Sequence, residues 1–553
     1  HDGFALWPTK TTAYNIGKSP WKNGQGDMVK EFELAARKYG MQFGVYCSPW
    51  DRNFPAYGTH EYVKAYREQL KELYTNYGKL FITWFDGANG GDGYYGGARE
   101  KRNIDRTTYY GWDTTWNIVR QLQPGSVIFS DMGDVRWVGN EEGHAAETSW
   151  ATFTPEPVDG KTIAVPGELK YWKSPEGTRN GAFWKPAECD VPLRPGWFYH
   201  PDQNHRVKTP AQLFDLYFKS VGRGASLDLG LSPDTRGLLH DNDVESLRAF
   251  GKLLQATFKE DLARVAKLTA SNIRGNNNRL FGVQKLLDGD RYSYWATDDA
   301  VTSPELVLEW KQPVTFNIIR LRENIKLGQR IERVALDARV NGQWQEIGQA
   351  TSIGANRLIR LKDFVSTDAI RLRVTQSPVS IALSEIGIFR EPEQLPVVSY
   401  SQKPATASMD KRSWSILSFS YESKLPNGAA KNAIDGDPNT IWHTWDNEKE
   451  MKIPPQDISV DMGSTKTVRA FTYLPRINGP WGIVAHYEWQ VSADGKQWQT
   501  VASGEFSNIK ANPIEQLVNL PAPVSCRYFR FIGKSSVEDN YISAAELGAI
   551  EAK

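Results

Sequence analysis

The stretch KLFITWFDG, residues 79–87, decides the fold class, because a short apolar strand runs directly into a carboxylate and a glycine. Helical patterns occupy 60–78 (HEYVKAYREQLKELYTNYG) and 109–125 (YYGWDTTWNIVRQLQPG) on either side of it. Further apolar runs that end in polar residues lie at 41–50 (MQFGVYCSPW) and 126–134 (SVIFSDMGD). Strands that alternate with helices predict a parallel sheet with crossover helices.

We expect residues 1–265 to form an α/β domain of the (β/α)₈-barrel type, with an open doubly wound sheet as the alternative. If the fold is a barrel, its first strands lie mostly upstream of His1, so the chain begins inside the domain. Chemistry in both folds sits at the carboxyl ends of the strands. Asp-Gly is also a common turn pair, but the strand-end position favours a functional reading of Asp86.

The composition excludes some classes of protein. Among 553 residues, 40% are hydrophobic and 24% charged, and the formal net charge is +1, so nothing points to a polyanion or a membrane surface as partner. No apolar run approaches the ~18 residues of a membrane span. The cysteines Cys47, Cys189 and Cys526 show neither a disulfide framework nor metal-ligand spacing. The 20 tryptophans are expected to be mostly core residues, with some suited to partly apolar, hydroxylated ligands.

Beyond residue 265 the pattern changes to short alternating strands separated by turns, as in all-β sandwiches. The stretch KLLDGDRYSYWAT (285–297) parallels NAIDGDPNTIWHT (432–444), and four more pairs of segments match in the same order. An ordered repeat of this kind predicts two copies of one module. We place the first β-sandwich at 266–392, as a structural brace for the barrel, and the second at 398–553, as a carbohydrate-binding-like module.

Seven motifs over residues 1–260 resemble, in order, the family 29 glycoside hydrolases, the α-L-fucosidases. They are similar to the branch that prefers α-1,3/1,4-linked fucose. The motifs are HDGFALW (1–7), GDMVKEF (26–32), FGVYCSPWDR (43–52), TWFDGANG (83–90), VRWVGNEEG (135–143), RPGWFYH (194–200) and SVGRGASLDLGLSPDTRG (220–237).

The resemblance implies a retaining mechanism with two carboxylates, one a nucleophile and the other a general acid and base. Asp86 matches the family's nucleophile through the pattern W-x-D at a strand end. The GNE pattern of this branch assigns the acid/base role to Glu141. The residues alone leave Glu142 and Glu147 as alternatives, because all three belong to RWVGNEEGHAAETSW (136–150), and all three could equally form a solvated charge cluster.

Fucose is a 6-deoxy sugar, so its pocket needs hydroxyl partners together with an apolar wall for the methyl group. The resemblance places five residues around this pocket: His1, Tyr46, Trp84, Trp137 and Trp197. Core packing is the alternative for each aromatic residue.

The two sandwiches resemble discoidin, or factor 5/8 C-type, domains, and the second is similar to family 32 carbohydrate-binding modules. This resemblance implies sugar contacts at His443, Arg476 and Trp481, whereas the first copy has Ala296 and Glu323 at two of the matching positions. It also implies a possible structural Ca²⁺ with oxygen ligands; the alternative is that each DGD makes a turn. The ligands would be Asp435, Asp437, Thr440 and Glu546, with Asp288, Asp290, Ser293 and Glu385 in the first copy.

The expected function is therefore exo-acting, retaining hydrolysis of α-1,3/1,4-linked fucose in branched glycans, with no cofactor for catalysis. Two alternatives stay open: a non-catalytic carbohydrate-binding or adhesion protein, and a retaining glycosidase for another sugar. Fucosylated oligosaccharides or glycoconjugates are the expected partners. From the substrate class we expect export to a periplasm or to the outside of the cell.

Overall fold

The computed structural model describes residues 1–398, 400, 408–425, 427–446, 453–476, 481–506, 509, 513–537 and 539–552. The chain divides into two compact units. The first unit comprises His1–Val191, Thr209–Gly230 and Leu247–Val397, and the second comprises Pro192–Lys208, Leu231–Ser246 and Val398–Lys553.

Strands and helices alternate through the amino-terminal half of the chain, as the sequence predicts. The helices are α1 Met28–Lys38, α2 His60–Asn76, α3 Trp112–Leu122, α4 Pro210–Lys219 and α5 Asp241–Phe258. The strands are β1 Val45–Tyr46, β2 Ile82–Trp84, β3 Asp92–Tyr95, β4 Ala98–Lys101, β5 Val127–Phe129, β6 Arg136–Trp137, β7 Thr152–Phe153, β8 Phe183–Trp184, β9 Ala187–Pro192 and β10 Ser226–Gly230.

The strands of the amino-terminal half include two three-stranded sheets, in the orders β1-β2-β5 and β10-β9-β6. The site is expected at the carboxyl ends of these strands. The pairings β1–β2, β2–β5 and β6–β9 are parallel. Parallel strands need crossover connections, and α2 and α3 supply them for the first sheet. Their apolar faces pack with the outward side chains of the strands, including Phe85 and Ile128, in one buried cluster.

The first sandwich belongs to the first unit and forms one antiparallel sheet in the order β12-β17-β13-β16-β14-β15, with β11 paired to β13. After β11 Lys267–Ala270 comes the short helix α6 Asn278–Phe281. The remaining strands are β12 Trp295–Ala296, β13 Glu305–Glu323, β14 Arg333–Val340, β15 Gln343–Thr351, β16 Arg357–Gln376 and β17 Ala382–Phe389.

Side chains of this sandwich contact the segment that follows β6. Gln329 Nε2 donates to the Ser149 carbonyl over 3.0 Å, the Ser149 N–H donates to Ser352 Oγ over 2.8 Å, and Thr148 and Thr351 share a 2.8 Å hydroxyl contact. Such contacts are what a brace for the barrel would need. The bracing role itself stays a prediction.

The second sandwich lies in the second unit and is also antiparallel, in the order β18-β20-β23-β21-β22 with β25 on β20 and a separate β19–β24 pair. Its strands are β18 Ser415–Phe419, β19 Trp442–His443, β20 Gln456–Leu474, β21 Val484–Ser492, β22 Gln499–Glu505, β23 Gln516–Ser536, β24 Ser543–Ala544 and β25 Glu546–Glu551. Trp295 and Trp442, which occupy matching places in the predicted repeat, are both fully buried.

Two further observations match what the apolar runs and the cysteine spacing of the sequence predict. Within the described ranges, no helix is long and apolar enough to cross a bilayer. All three cysteines are free, as their spacing predicts.

Candidate active site

A row of three aromatic side chains crosses the first sheet at the carboxyl ends of its strands. The pairing register aligns Tyr46 with Trp84 and Trp84 with Phe129. The rings of Trp84 and Phe129 stack 4.0 Å apart at 7°, and those of Tyr46 and Trp84 lie 5.1 Å apart. Because side chains alternate along a strand, Phe85 points to the helices and Asp86 lies on the same face as Trp84, just past the strand end.

The Asp86 carboxylate is held from both of its oxygens. Tyr46 donates its hydroxyl to Oδ2 over 2.7 Å, and the Ala88 N–H donates to Oδ1 over 2.7 Å. His1 Nε2 lies 3.7 Å from Oδ2, and His1 Nδ1 is 2.7 Å from Ser48 Oγ. The side chain keeps 25% of its exposure. The predicted nucleophile is thus fixed in direction and accessible, the two properties that attack on a sugar requires.

Desolvation and the neighbouring Asp86 charge raise the pKa of Tyr46. Tyr46 therefore remains a neutral hydrogen-bond donor throughout the physiological range. Its hydroxyl orients the Asp86 carboxylate without competing with it for a proton.

A second loop, which contains Gly167, passes close to Gly87 at the end of β2. A β-carbon at Gly87 would come within 2.8 Å of the Gly167 α-carbon, and Gly167 itself has a φ of +77°. The Gly167 N–H and the Tyr171 hydroxyl donate to Asp131 Oδ2 over 2.9 and 2.7 Å. Burial, and to a lesser extent the Asp86 charge, raise the pKa of Asp131. Gly87 thus leaves room for the backbone of Gly167, whose N–H donates to Asp131.

Two acids that the sequence analysis did not select lie on β9. Glu188 accepts from Trp84 Nε1 over 2.9 Å and from Ser226 Oγ over 3.0 Å. Asp190 accepts from Trp137 Nε1 over 2.5 Å. Burial, with the charges of Glu141 and Asp228, raises the pKa of Asp190 to about 7. The sequence of β9, AECDVP, indicates this arrangement, because the E-x-D spacing places two acids on one face of a strand.

The three glutamates after β6 have different surroundings. Glu141 is exposed and lies close enough to Asp190 for its charge to act there. Glu142 is 80% exposed, with His144 Nδ1 at 3.8 Å. Glu147 forms an ion pair with Arg223 over 2.6 Å and another with Arg357. Both Glu147 oxygens are thus engaged by arginines, so they are less free to meet a substrate than those of Glu141 and Glu142. Of the other two, Glu141 is the one whose charge acts on Asp190 of β9.

Of the remaining predicted pocket residues, His1 and Trp137 lie in the first unit and Trp197 lies in the second. His1 stacks on Trp50 with ring centres 5.0 Å apart at 29°. Trp137 packs edge-on against Tyr171 at 4.9 Å. Trp197 lies in the second unit, where its carbonyl accepts from Ser232 Oγ over 2.6 Å. A role for Trp197 in the pocket stays a prediction.

In the second sandwich the three predicted sugar-contact residues come together. The Arg476 guanidinium lies 5.4 Å from the centre of the Trp481 ring, and Trp481 is 52% exposed. Burial and the Arg476 charge lower the pKa of His443. An exposed indole beside a cation and a neutral imidazole is a suitable surface for a sugar ring. Binding itself stays a prediction.

The predicted calcium ligands form hydrogen bonds and an ion pair with other groups of the protein. Thr440 Oγ1 donates to Asp435 Oδ2 over 2.7 Å, and the Gly436 N–H donates to Glu546 Oε1 over 2.6 Å. The other Glu546 oxygen pairs with the Lys411 ammonium. Asp437 Oδ1 accepts from the Asn439 N–H over 2.9 Å. Among the described residues no group of three or more acid, His or Cys side chains is arranged to hold a metal ion.

In the first copy Glu385 pairs with Arg320 and, over 2.7 Å, with Arg322, and Ser293 donates to Asp288 over 2.7 Å. In both copies a basic side chain thus supplies the positive charge at the late glutamate. Calcium binding at either copy stays a prediction to be measured.

Comparison with known proteins agrees with the site. The α-L-fucosidase family model matches residues 1–258, and the F5/8 type C domain model matches residues 416–547. Alpha-L-fucosidase 1 of Arabidopsis thaliana is 38% identical over 395 residues, which cover 71% of this chain and 74% of that protein.

Solved structures agree as well. A glycoside hydrolase 29 family member from an unknown rumen bacterium is 33% identical with a TM-score of 0.60, and the match covers 100% of this chain and 87% of that one. A Ruminococcus gnavus family 29 fucosidase in complex with fucose is 27% identical with a TM-score of 0.62, covering 72% and 82%. The predicted fold class, a barrel-like α/β domain followed by β-sandwiches, is confirmed. The chain therefore belongs to the α-L-fucosidase family, glycoside hydrolase family 29, and carries an F5/8 type C domain in its carboxyl-terminal part.

Proposed function

We propose that this α-L-fucosidase is an exo-acting, retaining enzyme that releases α-1,3/1,4-linked fucose from branched glycans. The observation that carries the proposal is the setting of Asp86, a strand-end carboxylate with one oxygen fixed by Tyr46 and the other by a backbone N–H. A nucleophile must stay ionised and aimed at one atom. The two donors fix the direction of the Asp86 carboxylate, and its 25% exposure leaves it accessible to a substrate.

In the first step one oxygen of Asp86 attacks the anomeric carbon of fucose. The bond from this carbon to the leaving oxygen breaks, its electron pair moves to that oxygen, and Glu141 supplies the proton. In the second step the Glu141 carboxylate takes a proton from water, the water oxygen attacks the same carbon, and the bond to Asp86 breaks. Two inversions give net retention, and both carboxyl groups return to their starting states.

The pocket chemistry suits a 6-deoxy sugar. The indole rings of Trp84 and Trp137 supply apolar surface for the methyl group, and His1 and Tyr46 supply polar atoms for hydroxyls. His443, Arg476 and Trp481 are proposed to hold a glycan at the second sandwich, and the glycan substrate implies export from the cytoplasm.

The nucleophile is tested by trapping. A 2-deoxy-2-fluoro-fucosyl fluoride should label the wild-type chain on the peptide that contains Asp86, and the product formed first should have the α configuration. Asp86→Asn should lose more than about a thousandfold in kcat. A label on another peptide, or a β-configured first product, would overturn the assignment.

The proton donor is tested by chemical rescue. Glu141→Ala should lose kcat on a branched trisaccharide, keep more activity on an aryl fucoside whose leaving group needs no proton, and regain turnover with azide. The same experiment on Glu142→Ala is the matched control. Rescue of Glu142→Ala instead of Glu141→Ala would transfer the role to Glu142. Turnover of the aryl fucoside with none of the branched trisaccharide by the wild type would refute the proposed linkage preference.

A further inference from the structure

Two buried carboxylates on β9 each accept a hydrogen bond from the indole N–H of one pocket tryptophan. Glu188 is 8% exposed and accepts from Trp84; Asp190 is 6% exposed and accepts from Trp137. We propose that these two acids are positioning residues of the fucosidase reaction, which fix the ring orientations of the two tryptophans. The proposal rests on the α-L-fucosidase reaction and is independent of which glutamate donates the proton.

The strand geometry explains why both acids face the site. Side chains two residues apart lie on one face of a strand. On the other face of β9, Ala187 and Cys189 join a buried apolar cluster with Val138 and Ala225. The acids therefore point to the polar side of the sheet. Burying carboxylates is costly unless they are hydrogen-bonded, and in each case an indole N–H is such a donor.

Glu188 acts on the nucleophile side of the site. Its second oxygen accepts from Ser226 on β10, so the carboxylate ties β2 to β10 through Trp84. The Trp84 ring stacks on Phe129 and contacts Tyr46, the residue that donates to Asp86. Rotation of the indole would release the contact that orients Tyr46. Loss of Glu188 is thus expected to act on Asp86 through Trp84 and Tyr46.

Asp190 acts through a separate set of contacts. The Trp137 ring meets Tyr171 edge-on, and Tyr171 donates to Asp131. Trp137 ends β6, and the loop that follows it carries Glu141. Both acids sense the charge of Asp228, but each accepts from a different indole, which predicts that each acid is energetically coupled to its own tryptophan and not to the other.

Double-mutant cycles on the full chain test this coupling. Glu188→Met and Trp84→Phe should each lower kcat/KM about tenfold to a hundredfold, as expected for loss of a hydrogen bond to a charged group. The double variant should lose no more than the worse single variant. Glu188→Gln keeps an acceptor and should lose less than Glu188→Met. Asp190→Leu, Asp190→Asn and Trp137→Phe should repeat this pattern when assayed above pH 7, where Asp190 is mostly ionised because its pKa is raised to about 7 by burial.

The crossed pairs are the matched control: Trp84→Phe with Asp190→Leu, and Trp137→Phe with Glu188→Met, should show losses that multiply. Losses that multiply within a bonded pair, or single variants with unchanged kcat/KM, would overturn the proposal.

If the apolar variants fail to fold, ¹⁹F spectra of 5-fluorotryptophan protein decide the question. Glu188→Gln should shift the Trp84 signal and leave that of Trp137, and Asp190→Asn should do the reverse. Shifts of both signals, or of neither, in each variant would overturn the proposal.

Discussion

Glu147→Gln should weaken the fold and leave the chemistry intact. Glu147 lies in the same loop as the proposed proton donor, and its carboxylate bridges Arg223 and Arg357. Arg357 comes from the first sandwich, and its side chain is only 3% exposed. The two arginines thus give the Glu147 side chain a structural role that does not involve substrate.

The magnitude follows from the unequal burial of the pair. An exposed ion pair is worth about 0.2–1 kcal/mol, and leaving a buried charge without its partner costs about 3–5 kcal/mol. The Glu147 side chain is 66% exposed, which reduces the cost of leaving Arg357 without its partner. Arg357 Nη1 keeps its 2.7 Å hydrogen bond to the Glu147 carbonyl. We therefore expect a loss of about 1–2 kcal/mol in the free energy of unfolding.

The assay combines thermal unfolding with kinetics. Glu147→Gln should lower Tm by about 1–4 °C, with kcat/KM on a branched fucoside within about threefold of wild type. Arg357→Met should also lower Tm, and Glu142→Gln, whose side chain is 80% exposed, should not. A folded Glu147→Gln protein whose kcat falls more than a hundredfold and is restored by azide would refute the reasoning, because Glu147 would then be the proton donor.

Three other measurements test parts of the chain away from the nucleophile. Arg194 and Asp243 pair over 2.9 Å with both side chains 1% exposed, so Arg194→Met should cost about 3–5 kcal/mol of stability in chemical denaturation; an unchanged midpoint would contradict this. Because Lys411 neutralises Glu546, chelators should leave Tm unchanged; a Ca²⁺-dependent rise in Tm would instead support the calcium prediction. Trp481→Ala should weaken retention on a panel of immobilised glycans by about tenfold or more, with unchanged hydrolysis of an aryl fucoside; unchanged retention would exclude Trp481 from sugar binding.

The residues at strand ends could be predicted because strand periodicity is local. An apolar run that ends in W-F-D places Trp84 and Asp86 on one face and Phe85 on the other, and parallel pairing then brings Tyr46 alongside. The repeat of the sandwiches was predictable for a similar reason, since a fully buried Trp295 or Trp442 follows each DGD turn at the same distance.

The long-range partners could not be predicted. Glu147 pairs with arginines 76 and 210 residues away, and nothing in its own segment distinguishes it from Glu141. The acids of β9 were missed for a different reason. Two carboxylates in a six-residue stretch argue against a buried strand when only burial is considered. Their donors, Trp84 and Trp137, lie 104 and 53 residues away.

The site combines a strand-end carboxylate, the proposed nucleophile, with a proposed proton donor in a loop, and packing limits how far that loop can move. Within this loop, Glu141 lies between Gly139 and Gly143, both with positive φ. A β-carbon at Gly143 would lie 2.9 Å from side-chain atoms of Leu216 and Val191, so this end is packed tightly against α4 and β9. β9 also carries Asp190, whose charge interacts with Glu141. The loop is therefore packed against the same strand whose acids accept hydrogen bonds from Trp84 and Trp137, so a change in β9 is expected to reach both the loop and the two tryptophans.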